Sequence, residues 1–171
     1  EAGYGAGDVV IDATDCAGTP CQAGFDLNGK LAITIDGFVV YGASIGIYVK
    51  SRSDQCRVLN NIVSANADTG IYLQDSKNVL VFNNLVYANG GVGIRITGNI
   101  DSEDNPDNPG GSPGAKVINN TVYANGDRGI FFAGTDVSSQ GGLTINNVAE
   151  RNRMNEIQIN ASSLPEHINA G

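Results

Sequence analysis

Tryptophan is absent from the chain, and histidine (His167) and methionine (Met154) occur once each. A lone histidine near one end cannot complete a zinc site, and three cysteines cannot build a four-thiolate one. Basic residues are also few. Ten Lys and Arg stand against 18 Asp and Glu, a formal charge of -8, so no basic stripe exists to neutralise phosphates and a nucleic-acid partner is excluded. An acidic polysaccharide is repelled as well unless Ca²⁺ or a local basic patch intervenes. No apolar run approaches bilayer-spanning length, so no membrane partner is expected. Runs of helix formers are nearly missing and Pro is limited to 5, against 23 Gly and many Asn and β-branched residues. That balance describes an all-β chain rich in turns. A length of 171 residues suffices for one domain with a sizeable core.

What the chain does have is repetition. Gly-Ile followed by alternating apolar residues occurs at Gly46-Ile47, Gly70-Ile71, Gly93-Ile94 and Gly129-Ile130. An Asn-Asn pair recurs at Asn60-Asn61, Asn83-Asn84, Asn119-Asn120 and Asn146-Asn147. The Gly-Ile marker advances by 24, 23 and then 36 residues, the last step lengthened by an insertion between Ile96 and Lys116. A fixed period in this range signals a solenoid. Leucine-rich repeats have such a period but need a Leu lattice and an outer helical segment; here the lattice is Ile and Val and no segment shows a 3.6-residue period. A parallel β-helix remains, with like residues stacked from coil to coil.

Its inward columns are then Phe25/Ile47/Ile71/Ile94/Ile130/Ile157 and Leu27/Val49/Leu73/Ile96/Phe132/Ile159 on the Gly-Ile strand. On the next strands they are Thr34/Val58/Val81/Val117/Thr144 and Val39/Val63/Val86/Val122/Ala149. Asn61, Asn84, Asn120 and Asn147 form one amide ladder, with Gly37 in their column; Asn66, Asn89, Asn125 and Asn152 form a second ladder at corners of left-handed backbone. Cys56 falls in an inward column with Ala32, Val79, Ala115 and Gly142 and reads as a buried free thiol.

Cys16 and Cys21 bracket the turn-forming Ala-Gly-Thr-Pro, which brings the two sulfurs together as a small disulfide; two unrelated loop thiols are the alternative. The insertion at 99–114 carries Asp101, Glu103, Asp104 and Asp107, a set of oxygens suited to Ca²⁺, although its prolines alone account for a polar surface excursion. No other cofactor is expected. Asn119-Asn120-Thr121 and Asn160-Ala161-Ser162 fit the glycosylation acceptor pattern, the first as a by-product of the ladder.

The segment NVLVFNNLVYANGGVGIRI and its relatives resemble the repeat of right-handed parallel β-helix proteins, a superfamily that includes pectate lyases, other polysaccharide lyases, mannuronan epimerases and many secreted repeat proteins. The resemblance covers Ile11 to Ile159. It implies a right-handed, single-stranded solenoid of about six coils, one β-helix domain over 1–171, as a whole protein or as a module of a longer chain. It also implies an extracellular location; Glu1 does not open a signal peptide, which fits a mature or trimmed secreted chain and equally a cytosolic one.

In the resembling lyases the active groove lies over the outer face of one long sheet. Here the outward residues of the Gly-Ile strand include Tyr48, Tyr72, Arg95 and Phe131, with Lys50 and Gln74 beside them. Tyr48 and Tyr72 make an aromatic step on which a sugar ring can stack, while Lys50, Gln74 and Arg95 bond its hydroxyls or carboxylate; stacked aromatics are equally good strand residues. A polysaccharide is the expected partner. As a uronate lyase the chain would use Lys50 as base and Arg95 as carboxylate clamp. The polygalacturonase residue set and the Asp-Pro-His of the epimerases are missing. The Asn-Asn strand reads as apolar outward, at Ile35, Leu59, Phe82, Leu85, Ile118 and Ile145 among others, which predicts a covered face: a homodimer or another domain.

Overall fold

The computed structural model describes residues 9–98, 111–133 and 141–160, together with the strand Ile168–Ala170. Its described elements are all strands, numbered here in chain order, and they build three parallel sheets, each six strands deep. The first sheet holds β1 (Val9–Asp12), β4 (Phe38–Tyr41), β7 (Ile62–Ser64), β10 (Leu85–Tyr87), β13 (Thr121–Tyr123) and β16 (Val148–Glu150). The second holds β2 (Ala23–Asn28), β5 (Ile45–Lys50), β8 (Ile71–Gln74), β11 (Ile94–Thr97), β14 (Ile130–Ala133) and β17 (Ile157–Ile159). The third holds β3 (Thr34–Asp36), β6 (Arg57–Leu59), β9 (Leu80–Phe82), β12 (Lys116–Ile118), β15 (Leu143–Ile145) and β18 (Ile168–Ala170). Each strand therefore pairs with the strand three places on in the chain, so the backbone winds as a solenoid around one core.

Alternation along each short strand fills that core. On the second sheet Ile47, Ile71, Ile94 and Ile130, and next to them Val49, Leu73, Ile96 and Phe132, are fully buried and in register. Val58, Val81 and Val117 close the core from the third sheet, and Val63, Val86 and Val122 from the first.

Two corners are held by buried amides. Asn61 Nδ2 donates to Asn84 Oδ1, Asn84 Nδ2 to Asn120 Oδ1 and Asn120 Nδ2 to Asn147 Oδ1, each at 3.0 Å. The second ladder runs through Asn66, Asn89, Asn125 and Asn152 at 2.9–3.0 Å. A third, of hydroxyls, was not anticipated: the backbone N–H of Ser53 donates to Ser76 Oγ and that of Ser76 to Ser112 Oγ. Buried polar groups are stable in such numbers because each finds a partner on the neighbouring coil.

The first coil departs from the expected register by one residue. Ile35, not Thr34, pairs with Val58, and Val40, not Val39, pairs with Val63. Ile35 is 2% exposed, so it belongs to the core and not to the outer apolar face. In the same way Ile33 rather than Ala32 lies beside Cys56, and Gly37 stands with Asn60 rather than Asn61. The cause is the connection from Val40 to Ile47, one residue shorter than those from Val63 to Ile71 and from Val86 to Ile94, so the 24-residue step of the Gly-Ile marker overshoots when carried back from Val58. The chemistry agrees, since the shift buries Ile and Val and leaves Thr34 in water.

The left-handed backbone also falls elsewhere than on the ladder residues. It lies on the first Asn of each pair (Asn60, Asn83, Asn119, Asn146, φ 52–56°) and on Ala65, Ala88 and Ala124, one place before the second ladder. Asn119, the first residue of the Asn119-Asn120-Thr121 pattern, is accordingly exposed, while Asn120 carries the ladder.

Cys16 and Cys21 are joined as a disulfide, and Cys56 is a buried free thiol whose burial raises its pKa. The four carboxylates Asp101, Glu103, Asp104 and Asp107 lie outside the described residues, and among the described ones no cluster suited to a metal occurs.

Candidate functional site

The second sheet carries on its outer face a column whose members are set by register alone. Tyr48 pairs with Tyr72, Tyr72 with Arg95, and Arg95 with Phe131; Asp26 and Gln158 end the column. Lys50 follows Tyr48 at the next outward position of β5, and Gln74 follows Tyr72 at that of β8. Strand alternation thus brings together all six residues expected to bind carbohydrate. It also separates Phe131 from the tyrosines, with the Arg95 rung between them.

The two tyrosine rings stack at 4.9 Å between centroids and 9° between planes. Lys50 reaches back one rung: its Nζ lies 4.5 Å from the Tyr48 centroid and pairs with Asp26 Oδ2 at 2.9 Å. On the other side the Arg95 guanidinium lies 5.0 Å from the Tyr72 centroid. Asp26 precedes Tyr48 in the column and Arg95 follows Tyr72, so the order is cation, ring, ring, cation. Both outer ring faces are covered. The step expected to receive a sugar on a free ring face offers ring edges and hydroxyls instead, and the Tyr48 hydroxyl itself donates to Gln74 Oε1.

Charge follows the same order. Burial first, then the carboxylates of Asp26 and Asp75, push the Tyr48 phenol pKa up, while Arg95 draws it down. Burial also raises Tyr72, against the lowering effect of Arg95. Both phenols are therefore neutral donors at neutral pH. Lys50 is engaged as an ammonium donor to Asp26 and in that state has no lone pair to take a proton. Arg95 makes no ion pair among the described residues, and its Nε is buried without a hydrogen-bond partner.

Sequence reasoning missed a third cation on this face. Arg128 lies over the Phe131 ring at 4.4 Å, pairs with Asp127 Oδ2 at 2.8 Å and donates from Nε to Gln158 Oε1 at 2.5 Å. It stands outside any strand, where alternation has nothing to say. One signal was available: its column holds Ala23, Ile45, Thr69 and Val92 before it and Asn155 after it, so Arg128 is the charged member among uncharged ones.

A family model described as "Right handed beta helix region" matches residues 4–105. The search of curated proteins gave no match. Among solved structures the chain is similar to the periplasmic alginate epimerase AlgG, at 20% identity and a TM-score of 0.57, covering 94% of this chain and 38% of that one. A double mutant of that epimerase gives 20% identity and a TM-score of 0.63, over 90% of this chain and 37% of that one. A single mutant gives 18% and 0.59, over 83% and 39%. The chain thus spans well under half the length of these neighbours, and at such identity the likeness is one of fold.

Proposed function

The chain belongs to the right-handed β-helix region family, and from that premise we propose a carbohydrate-interacting β-helix that holds a polysaccharide along the outer face of its second sheet. One observation carries the reading: the Lys50–Tyr48–Tyr72–Arg95 stack, a rigid outward ridge of aromatic edges, phenol hydroxyls and cations on an otherwise acidic chain. Aromatic edges bury the apolar side of a sugar, and charge-assisted donors fix its oxygens. The solved neighbours are named as alginate epimerases, and alginate is a polysaccharide; their periplasmic origin supports an extracellular or periplasmic location for this chain too.

Two further readings share the face. As a lyase on uronate polymers, the chain would open the Lys50–Asp26 pair to free a base and use Arg95 as the carboxylate clamp. As a structural β-helix it would bind nothing small. A glycan array, run with an assay for new ultraviolet absorbance on uronate polymers, separates the three: binding without absorbance is expected, absorbance would favour the lyase, and neither would leave the structural role. Tyr72→Ala and Arg95→Ala are each expected to weaken binding about tenfold or more, the scale of losing one aromatic or one charge-assisted contact.

We propose also that a second copy packs on the third sheet. Leu59, Phe82, Ile118 and Ile145 form one outward column there, half-buried by one another, with Leu85 half-buried on the adjoining first sheet. A rigid apolar column loses little entropy on contact, and each side chain it covers gains part of the 1.5–3 kcal/mol typical of full burial, roughly. Light scattering at tens of micromolar is expected to give a dimer that Phe82→Asp dissociates while the β spectrum survives. A monomer, with mass unchanged by the substitution, would remove the idea.

A further inference from the structure

The charges on the second sheet's outer face are nearly all spent within the chain. Lys50 is matched by Asp26 at 2.9 Å and Arg128 by Asp127 at 2.8 Å. Arg95 alone of the three has no carboxylate partner among the described residues, and its Nε–H lacks an acceptor. It occupies the middle of the column, in register with Tyr72 on one side and Phe131 on the other. Negative charge gathers on either side of it. Asp68 and Asp75 act on Tyr72, Asp26 and Asp75 on Tyr48, and Asp127 lies at the Arg128 end.

Rungs are about 4.8 Å apart, close to the length of one sugar in an extended chain. A polymer laid along the column therefore meets one rung with about each residue. A homopolymer of acidic sugars would set carboxylates against the Asp26–Lys50 and Asp127–Arg128 rungs, where no positive charge is left over, and against a chain of net charge -8. A single acidic sugar between neutral ones avoids this: its carboxylate meets Arg95, and its neighbours offer hydroxyls to neutral aromatic rungs.

Resting on the carbohydrate-binding reading above, we infer that the ligand is a heteropolysaccharide in which an acidic sugar is flanked by neutral sugars, its carboxylate held by Arg95. The test is titration calorimetry at low salt on the intact chain with three trisaccharides: glucuronate alternating with a flanking N-acetylglucosamine on each side, all-galacturonate, and neutral cellotriose. The alternating oligomer is expected to bind at least tenfold tighter than either other. Its affinity should fall with salt as a single ion contact does. Arg95→Gln should bring it down to the neutral oligomer, and Arg95→Lys should keep part of the preference. Circular dichroism verifies that both variants fold. Equal or tighter binding of the galacturonate oligomer overturns this inference and leaves the carbohydrate-binding reading standing. So does equal binding of the alternating and neutral oligomers, or a preference that survives Arg95→Gln. Binding of none of the three overturns the reading itself, and this inference with it.

Discussion

Asn84→Ala is expected to destabilise the chain by about 3 kcal/mol, whereas Asn83→Ala, its neighbour in the same pair, is expected to cost about 1 kcal/mol or less. The difference lies in what each amide does. Asn84 Oδ1 accepts from the backbone N–H and the Nδ2 of Asn61, at 2.9 and 3.0 Å, and its Nδ2 donates to Asn120 Oδ1, Val58 O and Phe82 O. Alanine would strand the Asn61 N–H inside the fold and open a gap in the column, and a stranded buried donor costs its whole desolvation penalty. Asn83 sits at the surface with φ 55° and gives one exposed bond to Asn60. Alanine already occupies equivalent left-handed corners at Ala65, Ala88 and Ala124. Urea unfolding followed by circular dichroism measures both; equal losses would show that the ladder is not what holds the corner.

These two asparagines also mark how far sequence alone can reach. Which residues share a column was readable, because two markers keep one period and inward Val and Ile tolerate no slip beyond the coil where it occurs. What each column does at a corner was not. The Asn-Asn pair gives no sign of which member turns and which bonds, since Asn suits both tasks. Ile35 was misplaced because the connection from Val40 to Ile47 is one residue short, and no apolar alternation records the length of a connection. The Ser53–Ser76–Ser112 ladder, by contrast, steps by 23 and 36, as Gly70, Gly93 and Gly129 do, and that period was available to find it. On the candidate face, alternation placed Tyr48, Tyr72 and Arg95 correctly. It could not show that Lys50 and Arg95 cover the rings, because the direction of a long side chain is decided by partners one rung away: Asp26 for Lys50 and the Tyr72 ring for Arg95.

Gly70→Ala is expected to be about as damaging as the loss of a ladder amide, on the order of 3 kcal/mol, the upper end for overpacking. Gly70 is not a glycine for its backbone angles. A Cβ there would lie 2.6 Å from Val86 Cγ1, 2.7 Å from Gly93 O and 2.8 Å from Asn89 Nδ2. The valine methyl can turn aside, but the other two atoms are committed: Gly93 O accepts from the Ile71 N–H at 2.9 Å, and Asn89 Nδ2 donates to Asn125 Oδ1 at 3.0 Å. A single methyl would therefore push on a sheet bond and a ladder bond together. The same obstruction repeats at Gly46 and Gly93, where a valine methyl, the next coil's carbonyl and a ladder amide close in alike. This is why Gly precedes Ile47, Ile71 and Ile94. Gly37 supplies the contrast, with φ +81° and no atom within 4 Å of its missing Cβ. Only the left-handed conformation opposes a side chain there, and Asn60, Asn83, Asn119 and Asn146 adopt it in the same column. Gly37→Asn is accordingly expected to change stability by less than about 1 kcal/mol. Thermal unfolding of the two variants decides it: if Gly70→Ala melts no lower than Gly37→Asn, close packing at the entry to the second sheet is not what fixes the repeat.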